Sequence, residues 1–296
     1  GGEQLPAPLL SIADAPIPPA LAERVQSLFP SLTPVQRQAI PLMLQQPGRD
    51  LFAVAPTGSG KTMAYLIPLL SRLADNIESM KKLKGDGEKR PEADLQQKRP
   101  SPRAIIVAPT RELAGQIHRE AKRLESPIRV ALLNKALLRS WTAHAPSKVP
   151  DVLVCAPMRL VQAMKIISVS AVECLILDEA DKLLELGFLE QVDSILADLP
   201  STGCRKALFS ATIPTGVERI AQSFMINPQR LVVGVANAAC VNVKQHLVYC
   251  GQEAGRLMAL RQMPLQQQYQ GETIPVPAFI FCETQARVTA LHRQLA

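Results

Sequence analysis

Two short segments carry residue types that act on phosphates. The first is Ala55-Pro56-Thr57-Gly58-Ser59-Gly60-Lys61-Thr62, which follows an apolar run and opens a helical pattern. Gly58 and Gly60 permit positive φ, so the backbone there can approach a polyphosphate closely. Amides at the start of the following helix then form an anion nest. Lys61 supplies a point charge for the β- and γ-phosphates, and the Thr62 hydroxyl suits Mg²⁺. In the general pattern G-x-x-x-x-G-K-[ST], Ala55 takes the first place. A plain glycine-rich turn accounts for the glycines but not for Lys-Thr at this spacing. The second segment is Asp178-Glu179-Ala180-Asp181, directly after the apolar run 174–177. In open parallel sheets, ligands bind outside the carboxyl ends of strands. Asp178 is expected to hold Mg²⁺ through water, and Glu179 to orient and activate an attacking water. A helix N-terminus also favours acids. Beside the phosphate loop, the metal-and-water reading prevails.

These residues need a rigid frame. Short runs rich in Val, Ile and Leu recur at 51–55, 104–108, 152–156, 174–177, 207–209 and 231–235. They do not alternate with polar residues, which marks strands buried on both faces. Helical patterns separate them. In 111–125, Leu113, Ile117, Ala121 and Leu124 fall on one face. The prediction is an α/β fold, a parallel sheet with helices on both faces. Two stretches interrupt it. Residues 79–103 are charged and bear Gly and Pro, as in a flexible surface insertion. Their basic excess suits nucleic acid, but the interspersed acids suit a solvated loop better. Residues 234–242 are small and polar, and read as a linker. The predicted organisation is a first lobe over 1–235, a linker over 236–243, and the beginning of a second lobe over 244–296. That second part is expected to hold strands at 246–250 and 278–282, a helix over 253–263, and a last helix to residue 296. So small a core is expected to be marginal alone.

Composition narrows the classes. A chain of 296 residues suggests about two domains at roughly 150 residues each. An apolar fraction of 47% excludes a disordered chain. No uninterrupted apolar stretch reaches the ~20 residues that span a bilayer. Aromatics at 4% argue against a platform of stacked rings, and the net charge of +7 favours an anionic partner. The six cysteines form no C-x-x-C pair and read as reduced thiols of a reducing compartment. The four histidines have no metal-ligand spacing. The Gly1-Gly2 start reads as a trimmed terminus from which no targeting signal can be taken.

Asp178-Glu179-Ala180-Asp181 spells the signature of the DEAD-box RNA helicases, and six further segments resemble that family in order. Thr33-Pro34-Val35-Gln36 resembles the Q motif, and residues 55–62 resemble motif I. Pro109-Thr110-Arg111-Glu112-Leu113-Ala114 resembles motif Ia, and Ala156-Pro157-Met158-Arg159 resembles motif Ib with Ala156 in place of the usual Thr. Ser210-Ala211-Thr212 resembles motif III, and residues 279–284 resemble motif IV.

The resemblance implies a RecA-like lobe, the start of a second one, and ATP with Mg²⁺ as the bound cofactors. Gln36 then reads the adenine edge, with Phe29 or another apolar group against the base and Ile12 standing where the family often has an aromatic. Pro109, Thr110, Arg111, Pro157 and Arg159 contact the RNA backbone. Ser210 and Thr212 bond Asp181 and couple the lobes. The implied activity is ATP-driven unwinding of short RNA duplexes, with ATP and RNA each bridging two lobes.

Residues 130–135 lack the family's usual Gly-Gly contact. Together with Asp181-Lys182-Leu183 and 243–251, they resemble the subgroup acting in small ribosomal subunit assembly. That implies ribosomal RNA or pre-ribosomal particles as partners, protein cofactors, no membrane and no metal cluster, in the nucleolus or nucleus. Motifs V and VI of the second lobe are not found, and His292-Arg293 lacks the sequel of motif VI. Arginine fingers from that motif are worth about 10³ to 10⁵ in rate, so these 296 residues are expected to hydrolyse ATP weakly. Two other readings stand beside this one: an ATP-gated RNA clamp or assembly scaffold, and a DNA-directed P-loop helicase. The Gln36 segment disfavours the latter.

Overall fold

The computed structural model describes residues 5–45, 49–83, 100–144, 149–200, 202–234, 246–266, 268–269, 272–273 and 278–295. The chain divides into two compact units, Gly1–Ala239 and Cys240–Ala296.

In the first unit, a 3-10 turn at Ile12–Asp14 precedes helices α1 (Pro19–Leu28) and α2 (Pro34–Leu44). Strands and helices then alternate: β1 (Leu51–Val54), α3 (Lys61–Leu83), β2 (Ala104–Val107), α4 (Arg111–Arg123), β3 (Val130–Leu132), α5 (Lys135–Ala143), β4 (Val152–Cys155) and α6 (Pro157–Met164). They are followed by β5 (Cys174–Leu177), α7 (Ala180–Glu185), α8 (Leu189–Asp198), β6 (Arg205–Ser210), α9 (Thr215–Phe224) and β7 (Gln229–Val232). The seven strands form one sheet in the order β3-β4-β2-β5-β6-β1-β7. Every pairing is parallel.

The sheet is apolar on both faces because strand side chains alternate. Leu51, Ala53, Ala104, Ile106, Val152, Val154, Ile176 and Phe209 point into one core, with residues of α1 to α4. Ile105, Val107, Leu153, Cys155, Leu175 and Leu177 point into the opposite one, with residues of α5, α6 and α8. Phe52, Val54 and Leu208 join Val217 and Ile220 of α9 in a third cluster. Truncating a fully buried side chain such as Ile106 to Ala is worth about 2–5 kcal/mol. Cys155, Cys174 and Cys204 are buried free thiols.

Several elements depart from the sequence expectation. β3 is an additional strand of three half-buried residues on the sheet edge, too short for periodicity to reveal. β6 begins earlier, at Arg205 and Lys206, two charged residues that are buried. β7 lies over 229–232 rather than 231–235, and its alternating burial is that of an edge strand. Helix α3 runs on to Leu83, so residues 79–83 are helical rather than part of an insertion. At the far side of that stretch, Arg103 Nε donates to Glu173 Oε1 at 2.7 Å and Nη1 donates to the Leu73 carbonyl at 3.0 Å. Residues 84–99 and the predicted linker 236–243 lie outside the described residues.

The second unit holds α10 (Glu253–Gln266), a two-residue antiparallel pair of β8 (Gln268–Tyr269) and β9 (Glu272–Thr273), and α11 (Gln285–Leu295). Arg287 pairs with Glu253, and Arg261 Nη2 donates to the Gln294 carbonyl at 2.6 Å. The strands expected at 246–250 and 278–282 are not formed. A strand needs a neighbour for its amides and carbonyls, and none pairs with these segments among the described residues. Their large apolar side chains are open: Leu247 is 99% exposed, Tyr249 97%, Phe279 85% and Phe281 92%.

Candidate functional site

β6 lies between β1 and β5, so the turns leaving these three parallel strands share one edge of the sheet. The turn after β1 holds Gly58 at φ 77° and Gly60 at φ 92°. Both values lie in the region glycine tolerates best. The turn hands over to α3, whose Ala64 amide donates to the Gly60 carbonyl at 3.1 Å. The Lys61 ammonium is held inside this loop, donating to the carbonyls of Ala55 at 2.6 Å and Pro56 at 3.1 Å. Burial lowers its pKa, and the charges of Asp178, Asp181 and Glu179 oppose that shift. Ser59 Oγ is buried with no protein partner, although buried hydroxyls are nearly always hydrogen-bonded. A glycine-bearing loop at a helix N-terminus, with a buried cation and an unmatched hydroxyl, fits a polyphosphate. Pro56, Thr57 and Gly58 form its exposed rim, and Thr62 stands half-buried in the first turn of α3.

Asp178 leaves the end of β5 only 2% exposed. Tyr65 Oη donates to its Oδ2 at 2.8 Å, and the Glu179 amide donates to its Oδ1 at 2.9 Å. Burial pushes its carboxyl up to about 6, against the pull of both hydrogen bonds and of Lys61. Thr62 and Asp178 offer hard oxygen donors of the kind Mg²⁺ takes, with phosphate and water oxygens completing such a shell. No group of three or more His, Cys, Asp and Glu suited to a metal occurs among the described residues.

Glu179 adopts a left-handed conformation at φ 48°, ψ 54°, as the residue preceding α7. Holding a non-glycine residue there is costly. Its carboxylate pairs with Lys182 Nζ at 2.8 Å.

Asp181 ties the β5 turn to the β6 turn. Its Oδ2 accepts from the Ala211 amide at 3.2 Å, the Thr212 amide at 3.0 Å and the Thr212 hydroxyl at 2.8 Å. Thr212 therefore bonds Asp181 as expected, but Ser210 does not. The Ser210 hydroxyl donates to the Thr212 carbonyl at 2.7 Å and closes its own turn. Three donors already fill the Asp181 oxygen.

Gln36 is buried in the first turn of α2. Its Oε1 accepts from the Thr33 amide at 3.0 Å, and its Nε2 donates to the Gly60 carbonyl at 3.1 Å. The amide keeps one N–H and a lone pair with which to meet a base edge. A Cβ on Gly60 would come within 2.5 Å of Nε2, so a side chain there would be strained at this φ and would push the Gln36 amide out of place. Phe29 packs on the core with the Arg123 guanidinium 5.9 Å above its ring, and Ile12 is a core residue.

Pro109, Thr110 and Arg111 connect β2 to α4, and Pro157 and Arg159 lie in α6. Thr110 caps α4 by accepting the Leu113 amide at 3.2 Å. Pro109, Thr110, Arg111 and Arg159 line one groove of about 410 Å³, but Pro157 is buried as the first residue of α6 and does not line it. Met158, Leu186 and Phe188 give the groove an apolar side. The sequence assigns no site role to those three, nor to Tyr65 or Lys182. Tyr65 sits four residues after Lys61, on the same helix face, but its partner Asp178 lies 113 positions on, which that spacing does not signal.

No described helix is long and apolar enough to cross a membrane. A family described as DEAD/DEAH box helicase matches residues 33–220. The chain is 39% identical over 286 residues to ATP-dependent RNA helicase ROK1 of Eremothecium gossypii, covering 93% of this chain and 46% of that protein. It is 40% identical over 271 residues to DEAD-box ATP-dependent RNA helicase 57 of Arabidopsis thaliana, covering 90% of this chain and 44% of the relative. The chain thus spans about half the length of the curated relatives it matches. Among solved structures, the yeast DEAD-box splicing factor Prp28 superposes with a TM-score of 0.65 at 30% identity, over 90% of this chain and 60% of that one. S. cerevisiae Dbp5 bound to Gle1 and IP6 superposes with a TM-score of 0.67 at 24% identity, over 98% of this chain and 66% of that one, and supports the fold alone. The parallel sheet of the first unit is RecA-like, and the chain belongs to the DEAD/DEAH box helicase family.

Proposed function

We propose that this chain binds ATP and an RNA strand as part of an ATP-dependent RNA helicase. The observation that carries the reading is the convergence of Lys61, Asp178 and the Asp181–Thr212 bond on three adjacent strand ends. In this reading the loop amides and Lys61 grip the β- and γ-phosphates, and Gln36 faces the adenine. Thr62 and Asp178 would hold Mg²⁺, which would supply charge neutralisation at the phosphates. Glu179 orients the attacking water and takes its proton. Asp181 passes the state of this site to the β6 turn through Thr212. Arg111, Thr110 and Arg159 hold the RNA backbone, so binding depends little on base sequence. A labelled adenine nucleotide should bind the chain and fail to bind Lys61→Ala. Equal binding by the two proteins would end the reading.

A second reading, an ATP-gated RNA clamp or assembly scaffold that seldom turns over, draws on the Glu179–Lys182 ion pair, which occupies the carboxylate that water activation needs. Phosphate release with and without RNA, by wild type and by Glu179→Gln, separates the two. RNA-stimulated release abolished in the variant supports the helicase. RNA binding with no release from either protein supports the clamp. The finer assignment, to ribosomal RNA or pre-ribosomal particles in the nucleolus or nucleus, rests on the subgroup resemblance. Imaging and RNA crosslinking of the tagged protein test it.

A further inference from the structure

Helix α3 does more than present Lys61 and Thr62. Its next turn carries Tyr65, a fully buried phenol in the largest hydrophobic cluster. The ring packs against Phe209 of β6, with centroids 5.1 Å apart and planes at 57°. The hydroxyl reaches across to β5 and donates to Asp178 Oδ2 at 2.8 Å, with Thr62 as a second hydrogen-bonding neighbour.

Packing alone does not explain this phenol. A phenylalanine would supply the same ring contact, and a buried hydroxyl is retained only where it finds a partner. The partner here is the carboxylate read as the Mg²⁺ holder. Each of its oxygens takes one donor, Oδ2 from Tyr65 and Oδ1 from the Glu179 amide. That fixes the rotation of the carboxylate plane and leaves lone pairs on both oxygens. A phenol is a neutral donor, so the carboxylate keeps its full charge for a cation. Groups that orient metal-holding carboxylates in this way typically contribute 10–100-fold to metal affinity.

We propose that Tyr65 is a positioning residue that holds Asp178 in the orientation needed for Mg²⁺ and ties that orientation to the phosphate-binding helix. The proposal rests on the nucleotide-site reading given above.

The test is a Mg²⁺ titration of the binding of a fluorescent ATP analogue to the full chain, with a parallel measurement in EDTA. In Tyr65→Phe, the Mg²⁺ concentration giving half of the metal-dependent gain should rise 10–100-fold, while affinity in EDTA stays within about twofold of wild type. In the Asp178→Asn background, adding Tyr65→Phe should produce no further change, because the phenol acts through the carboxylate. An unchanged Mg²⁺ midpoint in Tyr65→Phe overturns the proposal and leaves the nucleotide site standing. Equal weakening with Mg²⁺ and in EDTA also overturns it, since that marks a packing role. If Tyr65→Phe does not fold, Tyr65→Trp and Tyr65→Leu replace it, and midpoints equal to wild type in either overturn the proposal. Failure of the wild-type chain to bind the analogue overturns the site reading and this proposal together.

Discussion

The Asp178 carboxylate is held where it is costly to keep charged. Burial pushes it up to about 6 from an ordinary 3.8. Between those values the folded chain binds a proton that the unfolded chain does not, so this group makes stability rise as pH falls from 7 towards 4. At about 1.4 kcal/mol per tenfold, the cost at neutral pH is on the order of 3 kcal/mol. Asp178→Asn keeps an acceptor for Tyr65 and removes the charge. It should be more stable than wild type by about 1–2 kcal/mol at pH 7 without nucleotide, and the gain should vanish near pH 4. Urea denaturation at the two pH values checks this, and a variant less stable at pH 7 contradicts it. Asp181 is a buried carboxylate with four donors, three on Oδ2 and the Lys182 amide on Oδ1. Removing the Thr212 hydroxyl with Thr212→Val should cost about 1.5–3 kcal/mol, as for a hydrogen bond to a charge. Ser210→Ala, which loses only a bond to a carbonyl, should cost about 0.5–1.5 kcal/mol. If the two costs are equal, the Asp181 bond is not the stronger one.

Helix α2 must be anchored at both ends if Gln36 is to reach the phosphate loop. The far end is held by Arg205 of β6, only 5% exposed. Its Nη2, Nη1 and Nε donate to the carbonyls of Leu42 at 2.8 Å, Met43 at 2.6 Å and Arg49 at 2.6 Å. The planar guanidinium meets three carbonyls that no other side chain could reach together. Arg205→Met fills the space but orphans those acceptors, and should destabilise the first unit by about 3 kcal/mol or more. Nucleotide affinity should fall with it, because Gln36 rides on the same helix. A loss under about 1 kcal/mol in chemical denaturation would show that water or neighbouring amides replace the arginine. Nothing in the sequence around Arg205 announces this, since a charged pair at a strand start reads as a solvated end. The strand cores at 51–54, 104–107, 152–155 and 174–177 were legible because burial on both faces leaves continuous apolar runs. The positions of Lys61 and Asp178 after strands were legible in the same way, from the loop and the acids that follow apolar runs, whereas the Thr212–Asp181 bond came only from the family resemblance. Tyr65 was hidden because its role depends on a residue 113 positions away. The 246–250 and 278–282 segments read as strands because periodicity reports side-chain patterning and says nothing of whether a pairing partner exists.

The two proposed sites lie on different strands: the residues proposed for the nucleotide follow β1, β5 and β6, whereas the groove over α4 and α6 follows β2 and β4. A net charge of +7 over 296 residues is too modest for indiscriminate adhesion to polyanions, so the proposed RNA binding rests on a few placed contacts. Arg111 and Arg159 are the cations of the groove, beside the capped N-terminus of α4. A single-stranded phosphate backbone releases about 0.7 counterions per contact. Arg159→Ala should therefore flatten the log–log dependence of RNA affinity on salt by about 0.7. It should weaken RNAs of unrelated sequence by the same factor, because backbone contacts carry no base information. DNA of the same sequence should compete more weakly than RNA, since only RNA offers the 2′-hydroxyl. Fluorescence anisotropy between 50 and 200 mM salt, an interval over which such contacts weaken markedly, measures all three. Met158, Leu186 and Phe188 give the groove a surface on which bases could also lie. If bases rather than phosphates lay against it, the loss in Arg159→Ala would vary with sequence while the salt slope stayed fixed, and the groove would be a base reader instead of a backbone grip.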